Sequence, residues 1–359
     1  MKDRWPAGAA GSAASTLYDV ARVAGVSTAT VSRVVHGQGA VRAATRQRVL
    51  DAIEALGYVP DGAAQSLAQR RKEVIGLVAV ESRGPETDVE RESFLFIEDV
   101  LRGVERPLGD LGWSVLVSLL REPVLHDAYQ RIRKVSAKVD GMVIVEGIIG
   151  PEHLAQLAGR LPVALVAAYP EGLRADAVGV DNRSGTRAVV SHMIEVHGKS
   201  RLFYVGGPAQ APDAVERRSA FLQAAAAYPG ASVAGLFEGR FAAVSGQHAV
   251  REILAGAPAR LPDAIICGND QMAIGAIREL QASGVRVPAD VGVVGFDDIP
   301  LSALLATPLT TVRQPARLLG QRACSLLLQR IIDPARPPLV ERLPAELVIR
   351  ESCGCHPGR

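Results

Sequence analysis

The sequence predicts two kinds of fold in one chain: an N-terminal all-α helix-turn-helix module with a hinge helix, then an α/β body of two doubly wound parallel-sheet subdomains. Three observations predict this. At 359 residues the chain exceeds what one hydrophobic core usually organises. Helical periodicity interrupted by a glycine fills Thr16 to Tyr58, and from Val74 onward apolar runs alternate with amphipathic segments. Charge divides the same way: residues 1 to 73 carry ten Lys and Arg against six Asp and Glu, a net of +4, which leaves −2 for the remainder of a chain whose net is +2. A basic surplus confined to a small segment suits contact with phosphates, and suits a solvated basic face equally.

Residues 1–15 read as a loose tail without the apolar stretch of a secretory signal. No later run is long and continuous enough to span a bilayer, so a cytoplasmic protein with no membrane partner is expected. Cys267, Cys324, Cys353 and Cys355 are too unevenly spaced for a disulfide framework. The CGC of the last two has no His or Cys group nearby to complete a zinc site, so free thiols and no metal are expected.

Residues 16–61 form the first module. Thr16 is suited to cap a helix beginning at Leu17, with Asp19 complementing the positive helix end. Leu17, Val20, Ala21 and Ala24 share a face, Gly25 ends the helix, and Val26 is the buried residue of the turn. A second helix from Ser27 or Thr28 points Val31, Val34 and Val35 inward. A third, about Ala43 to Leu56, is expected to bury Val49, Leu50, Ile53 and Leu56. The outer face of the second helix carries Ser27, Thr28, Ala29, Thr30, Ser32 and Arg33, residues small enough for close approach to a duplex, with one long fork donor for guanine. An ordinary three-helix bundle with a polar face has the same spacing. After Tyr58 and Pro60, residues 62–73 offer a short helix of small residues with one exposed leucine, Leu67, followed by Arg70, Arg71 and Lys72. An apolar wedge flanked by positive charge suits minor-groove insertion.

In residues 74–351, strands are predicted at Val74–Val80, Ser114–Leu119, Gly141–Val145, Val163–Ala167, Arg201–Val205, Ala264–Cys267 and Gly292–Gly295. Helices are predicted at Phe96–Leu111, His126–Lys138, Thr186–Glu195, Glu216–Ala227, Ser245–Leu254 and Asp270–Ser283. Ligands of such sheets bind beyond the carboxyl ends of strands, where Glu81, Glu146, Asn269, Asp270, Asp297 and Asp298 fall. Carboxylates and amides beside an arginine suit sugar hydroxyls, although helix capping is the plainer role for each carboxylate, and for Asp270 the better one. There is no GxSxG, Walker loop, HExxH or dinucleotide fingerprint, so no catalytic residue and no cofactor is assigned. An enzyme on the same sheets and a sugar-binding receptor remain the alternatives; the N-terminal module weighs against the receptor.

TLYDVARVAGVSTATVSRVV followed by GYVP and AAQSLA resembles the LacI/GalR family of bacterial transcriptional regulators. The body adds SGTRAVVSHMIEVHGKSRLFYVGG, GNDQMAIGAIRELQASGVRVPADVGVVGFDD, PLTTVRQP and ELVIRES, so the resemblance spans nearly the whole chain. It implies base contacts by Thr28, Ala29 and Arg33, phosphate or groove contacts by Ser27, Thr30, Ser32, Tyr18 and Tyr58, and operator insertion of Leu67 beside Ala64 and Gln65. It implies a body of periplasmic-binding-protein type, crossed by the chain near Val180, Pro308 and Val340. The first subdomain would then take about 74–180 and 309–340, the second about 181–308 and 341–351, with 352–359 a tail. Arg217, Asn269 and Asp297 match effector-binding positions, Phe241 an aromatic that stacks on the effector, and Phe96 an aromatic near the pocket. The sequence departs from the family at His36, Arg42, the long Glu81–Arg91 turn, and Ala167 in place of an effector-binding Asp, which Tyr169 is positioned to replace with a hydroxyl. The implied partners are a near-palindromic double-stranded DNA operator, a small-molecule effector of carbohydrate type, and a second copy of the chain. The half-site logic calls for a homodimer, and no leucine heptads follow ELVIRES to build a tetramer.

Overall fold

A computed structural model describes residues 15–35, 39–58, 71–81, 94–121, 125–145, 149–169, 172–256 and 261–355. The expected hinge helix with Ala64, Gln65 and Leu67, and also His36, Glu146 and nearly all of the Glu81–Arg91 turn, lie outside the described residues. The chain divides into two units, Met1–Lys72 and Glu73–Arg359.

In the first unit α1 spans Leu17–Ala24, α2 Thr28–Val35 and α3 Ala43–Leu56. Thr16 and Asp19 cap α1 reciprocally: the Thr16 hydroxyl accepts from the Asp19 N–H at 3.3 Å, and the Asp19 carboxylate accepts from the Thr16 N–H at 3.0 Å. Those bonds hold the Asp19 pKa down at about 2. Gly25 ends α1 at φ 64°, in the left-handed region that favours glycine. Val20, Ala21, Ala24, Val31, Val34, Val49 and Ala52 form the core. Leu50 does not join it and is 44% exposed. The buried stripe of α3 runs through 49, 52, 53 and 56, so the small Ala52 occupies the place expected of Leu50.

Among the described residues the second unit holds two parallel sheets and a separate two-stranded antiparallel pair. The first is parallel throughout, in the order β11-β5-β4-β3-β1-β2: β1 is Val74–Glu81, β2 Ser114–Arg121, β3 Gly141–Val145, β4 Val163–Val166, β5 Asp176–Val180 and β11 Val340–Leu343. The inner strands β1, β3 and β4 are buried on both faces, which is why they read as unbroken apolar runs. Leu77, Val143 and Val166 meet α4 (Phe94–Gly109) and α11 (Ala316–Ile332) on one face. Val78, Ile144 and Leu165 meet α5 (Leu125–Ser136) and α6 (Pro151–Ala158) on the other.

The second sheet has the order β7-β6-β8-β9, from Ser232–Glu238, Arg201–Gly206, Ala264–Cys267 and Gly292–Val294. It packs α7 (Asn182–Glu195) and α8 (Pro212–Ala226) on one face. On the other lie α9 (Ala243–Ala255) and α10 (Asp270–Ala282).

β5, β7, β11, α6, α11 and the short strands Thr311–Arg313 and Glu346–Val348 go beyond the elements predicted. β5 opens with a fully buried Asp176, which weakens its strand signature. Its carboxylate accepts from Arg330 at 2.7 and 2.9 Å and from the Leu339 N–H at 2.9 Å. α11 lies against α4 so closely that a Cβ at Gly103 or Gly320 would run into the backbone of Arg317 or Val100.

The chain crosses between the sheets near Asp181, after β5 ends at Val180. The other two crossings are shifted from Pro308 and Val340. β10 (Thr311–Arg313) still belongs to the second half, through bridges Val294↔Thr310 and Asp297↔Arg313 and an antiparallel pairing with β12 (Glu346–Val348). β11 is the edge of the first sheet, registered along β5 from Val340↔Ala177 to Leu343↔Val180. The crossings therefore fall at Gln314–Pro315 and Pro344–Ala345, and a division at 340/341 would cut through a strand.

Candidate functional site

On the head unit, the turn hydroxyl of Ser27 accepts from the Thr30 N–H at 3.2 Å and shares a hydrogen bond with the Thr30 hydroxyl at 2.9 Å, which satisfies the start of α2. With Val31 and Val34 turned inward, Ser27, Ala29 and Arg33 are exposed and Thr28, Thr30 and Ser32 partly so. Tyr18 stands 77% exposed on α1. Tyr58 is half-buried against the head core, and Arg42 is exposed just before α3. The eight predicted contact positions Tyr18, Ser27, Thr28, Ala29, Thr30, Ser32, Arg33 and Tyr58 are thus exposed or half-exposed, and Tyr58 also packs on the core.

In the body, Arg217 on α8 gathers a buried polar cluster at the carboxyl ends of the second sheet. Its Nε donates to Asn182 Oδ1 at 2.7 Å and its Nη1 to the Gly268 carbonyl at 2.7 Å. The guanidinium lies 3.4 Å from Asp213, 3.6 Å from Asp297 and 3.7 Å above the centre of the Phe296 ring. Gln314 donates to Asp297 at 2.6 Å, while its own Oε1 has no partner among the described residues. Burial pushes the Asp297 pKa well above the carboxylate range, and Arg217 pulls against it. Asp213 is raised by burial in the same way, with Arg217 and Asn182 opposing. The cluster continues across the subdomains: Asn182 donates to Glu216 at 3.1 Å, and Glu216 pairs with Arg342 of β11 at 2.7 Å. Arg342 lies 3.8 Å above the Tyr169 ring.

Asn269 caps α10, accepting from the Met272 N–H at 3.0 Å, and donates to the Phe241 carbonyl at 2.9 Å. It thereby joins Phe241 to the same strand ends. Phe241 has φ 60°, Ala167 φ 58°, Asp297 φ 126° and Asp298 φ 59°. Non-glycine residues in this region cost free energy and collect where ligand sites are built, and all four follow the carboxyl end of a strand. Asn182, Asp213, Phe296 and Gln314 were absent from the sequence reading. No local motif marks them, because each meets the cluster only through the crossing of distant elements.

Phe96 stands apart from this group, half-buried against the first core. Tyr169 uses its hydroxyl on the Val180 carbonyl at 3.0 Å, so it braces the crossing. Capping of α10 falls to Asn269, whose backbone is extended there, and not to Asp270. Asp270 is fully buried and accepts from the Ile299 N–H at 3.0 Å, the Ser302 hydroxyl at 2.6 Å and the Thr311 hydroxyl. Asp298 pairs with Arg313 at 2.7 Å and Arg350 at 2.6 Å.

Two cavities are lined without Arg217, the first sharing Arg342 with its cluster. One of about 480 Å³ lies between Asp181, Arg183, Arg342 and Pro344; the other, about 450 Å³, is walled by Gly206, Pro208, Leu222, Phe237 and Glu238. The expectation that CGC lacks histidine partners is overturned: His192 and His197 stand beside Cys353 and Cys355. The partners lie some 160 positions away in sequence, and only the docking of the closing turn on α7 unites them.

Residues 16–61 match the family model described as bacterial regulatory proteins, lacI family, and residues 190–353 that of a periplasmic binding protein-like domain. The HTH-type transcriptional repressor PurR of Aliivibrio fischeri (strain MJ11) is 32% identical over 341 residues, spanning 94% of this chain and 98% of that protein. The HTH-type transcriptional regulator CelR of Thermobifida fusca is 34% identical over 347 residues, with the same shares. Among solved structures, the lac repressor dimer bound to operator and the anti-inducer ONPF has a TM-score of 0.81 at 29% identity, over 94% of this chain and 99% of that one. A complex of the regulator CelR with cellobiose has a TM-score of 0.67 at 31% identity, over the same shares.

Proposed function

Because the chain belongs to the LacI family of bacterial regulatory proteins, we propose that it is a sequence-specific transcriptional repressor that binds DNA as a homodimer and is controlled by a carbohydrate-type effector held between the body's two subdomains. It is a regulator, as its relatives are, and not an enzyme. The observation that carries this reading is the presence, in one chain, of an exposed Ser/Thr/Ala/Arg helix face and a buried polar cluster at the strand ends of a two-sheet body. Thr28, Ala29 and Arg33 read bases in the major groove; Tyr18, Ser27, Thr30, Ser32 and Tyr58 hold the backbone or groove; Ala64, Gln65 and Leu67 engage the operator centre. Two copies are needed because one short helix covers too few base pairs for specificity. The protein works in the cytoplasm, where the chromosome is.

On the effector side, Arg217, Asn269 and Asp297 supply the donors and acceptors that hydroxyl groups need, with Phe241 as the stacking surface and Phe96 on the opposite wall. A ligand has to replace the ion pairs that now close this cluster. It acts on DNA only as far as it prefers one arrangement of the subdomains.

Arg33→Ala is expected to weaken operator binding by about 1–3 kcal/mol and to relax the preference at one base pair. Selection of binding sites from a random pool checks this, and an unchanged sequence logo removes Arg33 from base reading. The whole proposal is tested by operator binding over a salt series together with a thermal-shift panel of sugars, sugar acids, polyols and nucleosides. Affinity should fall steeply with salt, and a carbohydrate should both raise the melting temperature and change operator affinity. Absence of specific duplex binding overturns it.

A further inference from the structure

At the far end of α7 from Asn182, four side chains converge on one point. His192 lies in the last turn of α7 and His197 just beyond it, while Cys353 and Cys355 belong to the closing turn of the chain. The two Nε2 atoms are 3.3 Å apart. His192 Nε2 lies 3.4 Å from Cys353 Sγ and 3.7 Å from Cys355 Sγ, and His197 Nε2 lies 3.3 Å from Cys355 Sγ. All four ligand atoms fall within 4.8 Å of one another. We propose that His192, His197, Cys353 and Cys355 bind one zinc ion, which staples the closing turn to α7.

The distances carry the identification. A tetrahedral zinc with Zn–N near 2.0–2.1 Å and Zn–S near 2.3 Å has edges of about 3.3 Å between two nitrogens and about 3.6 Å between nitrogen and sulfur. The N–N separation equals its edge, and the three N–S separations fall within about 0.3 Å of theirs. Hydrogen bonding alone accounts for them poorly: His192 Nε2 faces three polar atoms but has either one lone pair or one proton to offer. Two thiolates with two imidazoles select a borderline-soft, tetrahedral ion over magnesium or calcium. Two thiol protons leave as the ion enters, so the dication and two thiolates sum to zero and no net charge is buried.

The surroundings agree. Gly354 has φ 117°, and a Cβ there would stand 3.1 Å from His197 Nδ1, so glycine between the cysteines lets both sulfurs face the imidazoles. Thr310 donates its hydroxyl to Cys353 Sγ at 3.1 Å, as the outer shell of a metal site commonly does. Cys353 is fully buried, whereas Cys355 and His197 are partly open and give the ion a way in. Ten residues of helix, about 15 Å, separate this cluster from Asn182, so the ion serves the fold and not the effector.

The full-length protein, loaded with zinc under reducing conditions and then dialysed against metal-free buffer, should retain about one zinc per chain by elemental analysis. Cobalt in its place should give the visible bands of a tetrahedral site with thiolate-to-metal charge transfer. Cys355→Ser and His197→Gln should lose the metal, while Cys324→Ser, in the first core, should keep it. A chelator should lower the melting temperature of the wild type and leave that of Cys355→Ser unmoved. Folded wild-type protein that retains no zinc and gives no cobalt spectrum overturns the proposal. So does a mass showing a Cys353–Cys355 disulfide under reducing conditions, or variants that hold the metal as well as the parent does.

Discussion

Arg217→Met is expected to abolish the effector response and to lower the unfolding free energy by about 3–5 kcal/mol, the usual cost of removing one partner from a buried ion pair. Methionine keeps much of the volume but leaves Asp213 and Asp297 without their shared counter-charge, and leaves the Asn182 and Gly268 oxygens without a donor. Asp297→Asn separates the two effects. It removes a carboxylate that burial already disfavours, keeps an acceptor for Gln314, and should cost little stability while still removing the response. Operator binding without effector should remain within about a factor of two for Asp297→Asn, since the cluster lies in the body and base recognition in the head. Urea unfolding and effector titrations on operator DNA measure the two quantities. A variant that still responds at the normal effector concentration removes the cluster from the binding site.

Asp270→Ala should be at least as costly. It strands the Ile299 N–H and the Ser302 and Thr311 hydroxyls in a buried site, at about 1–3 kcal/mol for each group left unsatisfied. Asp270→Asn, which retains an acceptor and adds a donor, should cost about 1 kcal/mol or less. Burial raises the Asp270 pKa to about 7 against the hydrogen bonds that favour ionisation. The sign follows from linkage. Between the unfolded value of about 3.9 and the folded one, the native state holds a proton that the unfolded state has lost. This contribution to stability is complete below about pH 4 and is lost as pH rises through 7. Asp213 and Asp297 act in the same direction. The readout is therefore the difference between wild type and Asp270→Asn, whose unfolding free energy should depend less on pH between 5 and about 7.5. Parallel pH profiles would show that Asp270 does not titrate in this range.

Features set by neighbours in sequence were legible. The Thr16 cap, the Gly25 turn and the doubly buried strands each follow from a local pattern, and the helix-turn-helix face stands where spacing put it. Leu50 was misplaced because two adjacent apolar residues compete for one stripe, and helix geometry admits only the one in phase with Val49 and Ile53. The capping role fell to Asn269 and not to Asp270, because capping depends on which residue is still extended when the helix starts, a matter of one position. Half of the Arg217 cluster was invisible: Asn182 and Asp213 have no motif, and only the docking of α7 against α8 makes them neighbours. The histidine partners of CGC were missed for the same reason, over a longer separation.

The interleaving of the two sheets also constrains how the protein is made. Residues emerge from a ribosome in order, at about 5–20 per second. Asp176 pairs with Arg330, 154 positions later, and the strand that completes its sheet ends at Leu343. The second sheet waits longer still, for Ser352, whose hydroxyl donates to the Val293 carbonyl at 2.6 Å. Neither half is finished on the nascent chain until the final segment is free. The two halves must therefore mature together, so a truncated transcript or an interrupted translation yields no half-built body able to hold an operator shut.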